Sequence, residues 1–239
     1  MIMAGEVYVD GRRSDKPGQR FDPEADLEVR PSARRFVSRG GEKLEGALED
    51  FKLDVSGLSA LDAGSSTGGF TDCLLQRGAA RVYAVDVGRG QLDWRLREDP
   101  RVVVMEGRNA RYLKPGDLPE SPGITTLDLS FISLTKVLPA VLPLLAEEAV
   151  VLPLVKPQFE AGREAVEKGG VVRRTEHHAA ALRGVAGFLY NSGVDIVAVS
   201  PSRLLGPKGN REFFIHAVLR PPRAENESLE AKILRAIEG

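Results

Sequence analysis

The stretch Leu61–Asp72, LDAGSSTGGFTD, sets Gly64, Gly68 and Gly69 between an apolar run and a helix-forming segment, with Asp62 two residues ahead of the first glycine. A strand that ends in such a turn and feeds directly into a helix is the ligand-binding corner of a doubly wound α/β sheet. The spacing narrows the ligand. A dinucleotide fingerprint reads G-x-G-x-x-G, whereas this loop reads G-x-x-x-G-G, and a phosphate loop needs a lysine followed by Ser or Thr where Phe70 stands.

Working outward, the runs LSALDAG, RVYAVDVG, RVVVMEG, ITTLDLSF and AVVLPLVK read as strands. They alternate with helical patterns over Gly69–Gln76, Leu92–Glu98 and Leu134–Leu145. Further helices are expected over Leu44–Lys52 and Ser228–Glu238. VDIVAVSPS and EFFIHAVL close the series, and the loop joining them is too short for a parallel crossover, so this pair is expected to be antiparallel. The predicted fold is α/β, a Rossmann-like seven-stranded sheet of the kind found in S-adenosylmethionine-dependent methyltransferases, with a partial S4-like segment ahead of it. That segment alternates over Val7–Asp10, turns at Asp10-Gly11 and continues through DKPGQRF and DPEADLEVR, the pattern of a small all-β piece. The expected division is 1–30 for this piece, 31–40 for a basic linker, 41–223 for the large domain and 224–239 for a C-terminal helix.

Composition excludes several classes. One cysteine, Cys73, cannot form an internal disulfide, and His177, His178 and His216 lack zinc-site spacing, so no metal is expected. The most apolar segment, Val137–Val155, carries Glu147, Glu148 and three prolines, which argues against a membrane span. No export signal stands at MIMAGEVYVDG, and a cytoplasmic protein is expected. The net charge of -1 is unevenly spread: Arg30–Lys43 and Pro201–Arg223 each hold five basic residues and one acid. Either run alone is ordinarily a solvated face. Together, flanking a ligand loop, they point to phosphate contacts through Arg30, Arg34, Arg35, Arg39, Lys208 and Arg211.

A ligand with a nucleoside, a zwitterionic tail and no phosphate needs close backbone approach, an acid near an ammonium and an acid for ribose hydroxyls, and S-adenosylmethionine has these needs. Asp62 is placed to meet the amino group, and Asp86, ending VYAVDVG, to accept from the ribose. Ser65, Thr67 and Phe70 complete the loop with its glycines; Asn109 and Ala110 border the adenine, and Asp128 ends the next strand.

DAGSSTGGFTD, with SRGGEKL before it and DLSFISL, VKPQFE and GNREFF after it, resembles the TlyA-type (haemolysin-A-like) ribosomal RNA 2′-O-methyltransferases, a branch of the FtsJ-like group. The resemblance runs from about Ala4 to Arg220. It implies a catalytic Lys-Asp-Lys-Glu set at Lys43, Asp128, Lys156 and Glu212, S-adenosylmethionine as methyl donor, and ribosomal RNA or ribosomal subunits as partner. Thr67 stands where the wider FtsJ-like group has a proline, and the helices of a complete S4-type domain are expected ahead of Ile2 but are not in this sequence.

Methyl transfer to a ribose hydroxyl is an in-line displacement, so the oxygen must be made nucleophilic. A neutral or hydrogen-bonding lysine beside it is one solution, with Asp128 and Glu212 orienting it. Lys156 suits the part because it ends the apolar strand LPLVK at the sheet's ligand-binding edge. Two other classes compete: a non-ribose acceptor, although DLSF lacks the Pro-Pro of base amino methylation, and a membrane-active haemolysin. Cys73 and Trp94 read as packing residues, Phe213 and Phe214 as burying on opposite faces of one strand, and PQFEAGREAVEKGGVVRRT as either a lid over RNA or a long loop.

Overall fold

Every apolar run read as a strand is one in the computed structural model, which describes residues 2, 7–14, 16, 18–30, 35–219 and 228–238. Strands β1 (Val7–Val9), β2 (Arg12–Ser14) and β3 (Leu27–Val29) form a small antiparallel sheet in the order β2-β1-β3. Asp10 and Gly11 both take positive φ, as the hairpin turn between β1 and β2 demands.

The main sheet comprises β4 (Ser59–Ala63), β5 (Arg81–Asp86), β6 (Val102–Glu106), β7 (Ile124–Leu127), β8 (Val150–Val155), β9 (Val194–Pro201) and β10 (Phe213–Leu219). Their order is β6-β5-β4-β7-β8-β10-β9, and only β10 runs against its neighbours. The order reverses between β4 and β7, which opens a crevice outside the carboxyl ends of these strands.

Helices α1 (Arg39–Asp50), α2 (Gly69–Gln76) and α3 (Trp94–Glu98) cover one face. The other is covered by α4 (Leu138–Val141), α6 (Thr175–Asn191) and α7 (Leu229–Glu238), while α5 (Pro157–Glu160) is a single turn after β8. The two-residue period of the strands divides the core: Leu61, Tyr83 and Phe213 face α6, whereas Ala60, Val82 and Phe214 face α1 and α2.

Three expectations need correction. The helix predicted over Leu134–Leu145 is three short pieces, 134–136, 138–141 and 142–144, because Pro139 and Pro143 cannot donate the hydrogen bonds that would join them. The helix expected from Leu44 begins at Arg39, so Lys43 lies within its early turns. Trp94 is exposed, not packed, while Cys73 is fully buried. Helix α6, the longest, was not anticipated from the sequence; the segment before it is pinned rather than loose. Asn210 accepts a hydrogen bond from the Val172 N–H (3.0 Å) and donates to the Gly170 carbonyl (2.9 Å), and His178 bonds the Val172 carbonyl (2.9 Å).

Candidate active site

Two hollows meet at the carboxyl edge of the sheet. The larger, of about 450 Å³, lies outside β5 and β7 and is bordered by Asp86, Gln91, Asn109 and Ala110; the smaller, of about 280 Å³, lies between α1, the glycine loop and the segment 205–207. Gly64, Ser66 and Asp128 form the wall they share.

The glycine loop lines both hollows, but its bareness serves the protein's own packing. A Cβ on Gly64 would stand 2.5 Å from the Asp128 carbonyl oxygen, and one on Gly69 would stand 2.3 Å from Ser38 Oγ, where α1 and α2 meet end to end. At Gly68 it would meet Leu96 at 2.2 Å and Leu92 at 2.8 Å, on a backbone with φ of +97° that an L side chain rarely adopts. Ser65 and Thr67 line the smaller hollow; Phe70 borders it but is itself buried, tilted against Phe214 at 6.0 Å between centroids.

Asp62 borders neither hollow. Alternation along β4 puts it on the α2 side with Ala60, where its carboxylate is fully enclosed and accepts from Thr71 Oγ1 (2.7 Å) and Thr126 Oγ1 (3.2 Å). Burial pushes its carboxyl up to about 7, against the two threonine hydrogen bonds. Asp86, by contrast, faces the larger hollow. One carboxylate oxygen accepts from the Ser66 N–H (2.9 Å) and the other from the Gly88 N–H (2.7 Å), so each keeps a lone pair for a hydroxyl donor. Asn109 accepts from the Arg111 N–H (3.1 Å) through its side chain, which fixes the turn bordering the same space.

The four residues of the Lys-Asp-Lys-Glu set gather where strands of opposite direction end together. Asp128 directly follows β7 and Lys156 follows β8, while the register Phe213↔Val155 sets Glu212, just ahead of β10, opposite Lys156. They form two ion pairs, Lys156 Nζ to Asp128 Oδ1 at 2.5 Å and Lys43 Nζ to Glu212 Oε2 at 2.6 Å. Lys43, Lys156 and Glu212 are buried, and Lys156 also donates to Ser130 Oγ at 3.2 Å. Glu212 Oε1 is buried without a hydrogen-bond partner among the described residues, close against Gly206, where a Cβ would stand only 2.0 Å away. The set can orient and exchange protons with a hydroxyl brought to the Asp128 wall.

The basic residues are less uniform than their sequence clustering suggests. Arg35 is paired with Glu45 (2.5 Å), Arg30 with Glu28 (2.6 Å), and Arg211 donates to the Ile237 carbonyl (3.1 Å), tying β10 to α7. Arg39 is exposed at the rim of the smaller hollow; Lys208 is exposed, with its ammonium near Gly170; Arg34 lies outside the described residues. Sequence reasoning gave no role to Ser66, Gln91, Ser130 or Phe131, although DLSFISL contains the last two. Phe131 is 90% exposed with φ of +65° and leans on Phe159 (5.2 Å). No group of His, Cys, Asp and Glu suited to a metal, and no helix long and apolar enough to cross a membrane, occurs among the described residues.

Residues 36–219 match the model of the FtsJ-like methyltransferases. The chain is 47% identical over 239 residues to the 16S/23S rRNA (cytidine-2′-O)-methyltransferase TlyA of Mycobacterium tuberculosis, covering 99% of this chain and 89% of that protein. A solved structure from Streptococcus thermophilus, provisionally termed a hemolysin, superposes with a TM-score of 0.80 at 42% identity, covering 99% of this chain and 88% of that one. An S-adenosylmethionine-dependent methyltransferase from Mesorhizobium loti shares the fold at 16% identity, with a TM-score of 0.55 over 74% of this chain and 97% of that one.

Proposed function

The chain belongs to the FtsJ-like methyltransferase family, and on that premise we propose that it transfers a methyl group from S-adenosylmethionine to a ribose 2′-hydroxyl of ribosomal RNA. The observation that carries the proposal is the convergence of Lys156–Asp128 and Lys43–Glu212 on the wall shared by two hollows, one suited to a nucleoside and the other rimmed by Arg39.

The residues present fit the methyl donor. Asp86 offers lone pairs to ribose hydroxyls, Asn109 and Ala110 border the adenine, and the glycine-loop residues Gly64 and Ser66 bound the shared wall. With Asp62 enclosed, the amino group of the tail falls to that wall, with Asp128 as its acid. S-adenosylmethionine supplies an electrophilic methyl group when bound.

The chain's own part is to bring the acceptor oxygen into line and to receive its proton. Lys156 is the acceptor of that proton, and it must have released its own beforehand; Asp128 and Ser130 then hold the ammonium that forms. Lys43 compensates Glu212 so that a buried carboxylate can stand opposite Lys156 without an unpaired charge. Holding the oxygen in line contributes alongside the proton transfer.

Labelled methyl transfer from S-adenosylmethionine to purified ribosomal subunits, followed by nuclease mapping, tests the reaction. Label resistant to alkaline cleavage at a ribose is expected; label on a base, or none on RNA, would overturn the proposal.

A further inference from the structure

One half-buried acid near the larger hollow is spent on shaping a loop. Glu106 ends β6, and its carboxylate accepts three consecutive backbone N–H groups, from Gly90 (2.8 Å), Gln91 (3.0 Å) and Leu92 (3.2 Å), and also meets the Arg97 guanidinium. Burial alone raises its carboxyl, but Arg97 and the three N–H groups outweigh burial and hold it at about 2. The loop Val87–Asp93 is tied at its other margins as well: the Gly88 N–H donates to Asp86 (2.7 Å) and the Asp93 N–H to the Thr67 carbonyl (3.1 Å).

What these ties fix is the Gln91 side chain. It borders the same hollow as Asp86, and Ser66 Oγ donates to its Oε1 at 3.4 Å. A Cβ built on Gly88 would lie 2.4 Å from Gln91 Nε2 and 3.1 Å from Asp86 Oδ1, so amide and carboxylate flank one point on the wall. No described residue accepts a hydrogen bond from that amide nitrogen. An ionised carboxylate only accepts, so ribose hydroxyls that donate to Asp86 have oxygens still able to accept, and the Gln91 amide is the neighbouring donor.

We propose that Gln91 is a second ribose-binding residue beside Asp86, and that Glu106 is the positioning residue that presents it. The inference rests on the assignment of the larger hollow to the cofactor nucleoside.

Calorimetric titration with S-adenosylhomocysteine and with its 2′-deoxy and 3′-deoxy counterparts tests it. Gln91→Ala is expected to weaken S-adenosylhomocysteine about tenfold, the effect of one hydrogen bond at the upper end of its range. Gln91→Glu keeps the shape but has no donor, and loses at least as much. Both variants bind the deoxy compound lacking the contacted hydroxyl within about twofold of the unaltered chain. Glu106→Gln gives the same pattern at about three- to fivefold; should it fail to fold, the two Gln91 variants decide. Unchanged affinity in Gln91→Ala, or an equal loss for all three nucleosides, overturns the inference. Asp86→Ala is measured alongside. If it weakens binding while Gln91→Ala does not, only this inference falls; if neither does, the nucleoside site falls with it.

Discussion

The two halves of the sheet's carboxyl edge restrain their acids by opposite means. On the β5–β6 side, backbone N–H groups hold Asp86 and Glu106, with Arg97 added at Glu106. On the β7–β8–β10 side, lysine ammonium groups hold Asp128 and Glu212. Backbone dipoles orient a carboxylate without cancelling its charge, which leaves Asp86 suited to binding hydroxyls. An ammonium partner cancels the charge and brings an exchangeable proton, which suits Asp128 and Lys156 to chemistry. The same residue type thus does two jobs within one crevice, according to what fixes it.

The largest expected effect breaks the chemical half and spares the binding half. Lys156→Met removes the amine but keeps the apolar stem, and single-turnover methylation should fall by about 10²- to 10⁴-fold, the range for a lost acid–base group. Cofactor affinity measured by calorimetry should remain. Lys156→Arg, which keeps the charge but cannot give up its proton, should be nearly as slow. Substantial activity in the Met variant would reduce the set to simple positioning.

Next comes stability. Removing one partner of a buried ion pair typically costs about 3–5 kcal/mol because the other charge is left unpaired. Lys43→Met should destabilise on that scale in denaturant titration, and Lys43→Met with Glu212→Gln should recover most of the loss. Asp86→Asn, whose side-chain oxygen can still accept from a backbone donor, should cost about 1 kcal/mol or less. Equal losses on the two sides would erase the distinction between them.

The sequence made the strands legible, since each apolar run is long enough to cross the sheet and is punctuated by Gly, Asp or Pro. The four residues of the Lys-Asp-Lys-Glu set came from resemblance to known motifs; what composition could not convey is that they form two ion pairs, Lys43–Glu212 buried and Lys156–Asp128 partly so. In the sequence a bare loop looks alike whether a ligand or a neighbouring helix requires it, and the structure adds the helix contacts. Gly68→Ala should therefore cost about 2 kcal/mol of stability, through φ of +97° and the contact with Leu96, before any effect on the cofactor. The bond from Arg211 to the Ile237 carbonyl was not legible, because Ile237 lies on a helix distant in sequence.

The enclosure of Asp62 was legible in the sequence, since it shares its strand parity with buried Ala60. Its titration is a milder test of the same contrast: an acid held by threonine hydroxyls and the Thr71 backbone N–H, with no lysine partner. Raised from 3.8 to about 7, it keeps in the folded state a proton that the unfolded chain has released. Its contribution to stability is fully present below about pH 4 and is lost as the pH rises through about 7. Asp62→Asn should thus gain stability relative to the unaltered chain between pH 4 and 7.5. A difference independent of pH would mean that Asp62 is charged throughout.

The smallest effect concerns the outer rim. Of the described basic residues first assigned to RNA, Arg39 is exposed at the rim of the smaller hollow and Lys208 is exposed one residue past Pro207 of its lining; Arg35 is paired with Glu45 and Arg211 with the C-terminal helix. Each phosphate contact releases counterions, so neutralising Arg39 and Lys208 together should flatten the log-log salt dependence of RNA affinity by about one to two units. Arg35→Gln and Arg211→Gln should leave that slope unchanged and show their loss in thermal unfolding instead. Filter binding across a salt series separates the two pairs. A slope that moves with Arg35 but not with Arg39 would place the RNA on the far side of α1, away from Lys156, and would detach the basic rim from the acceptor hollow.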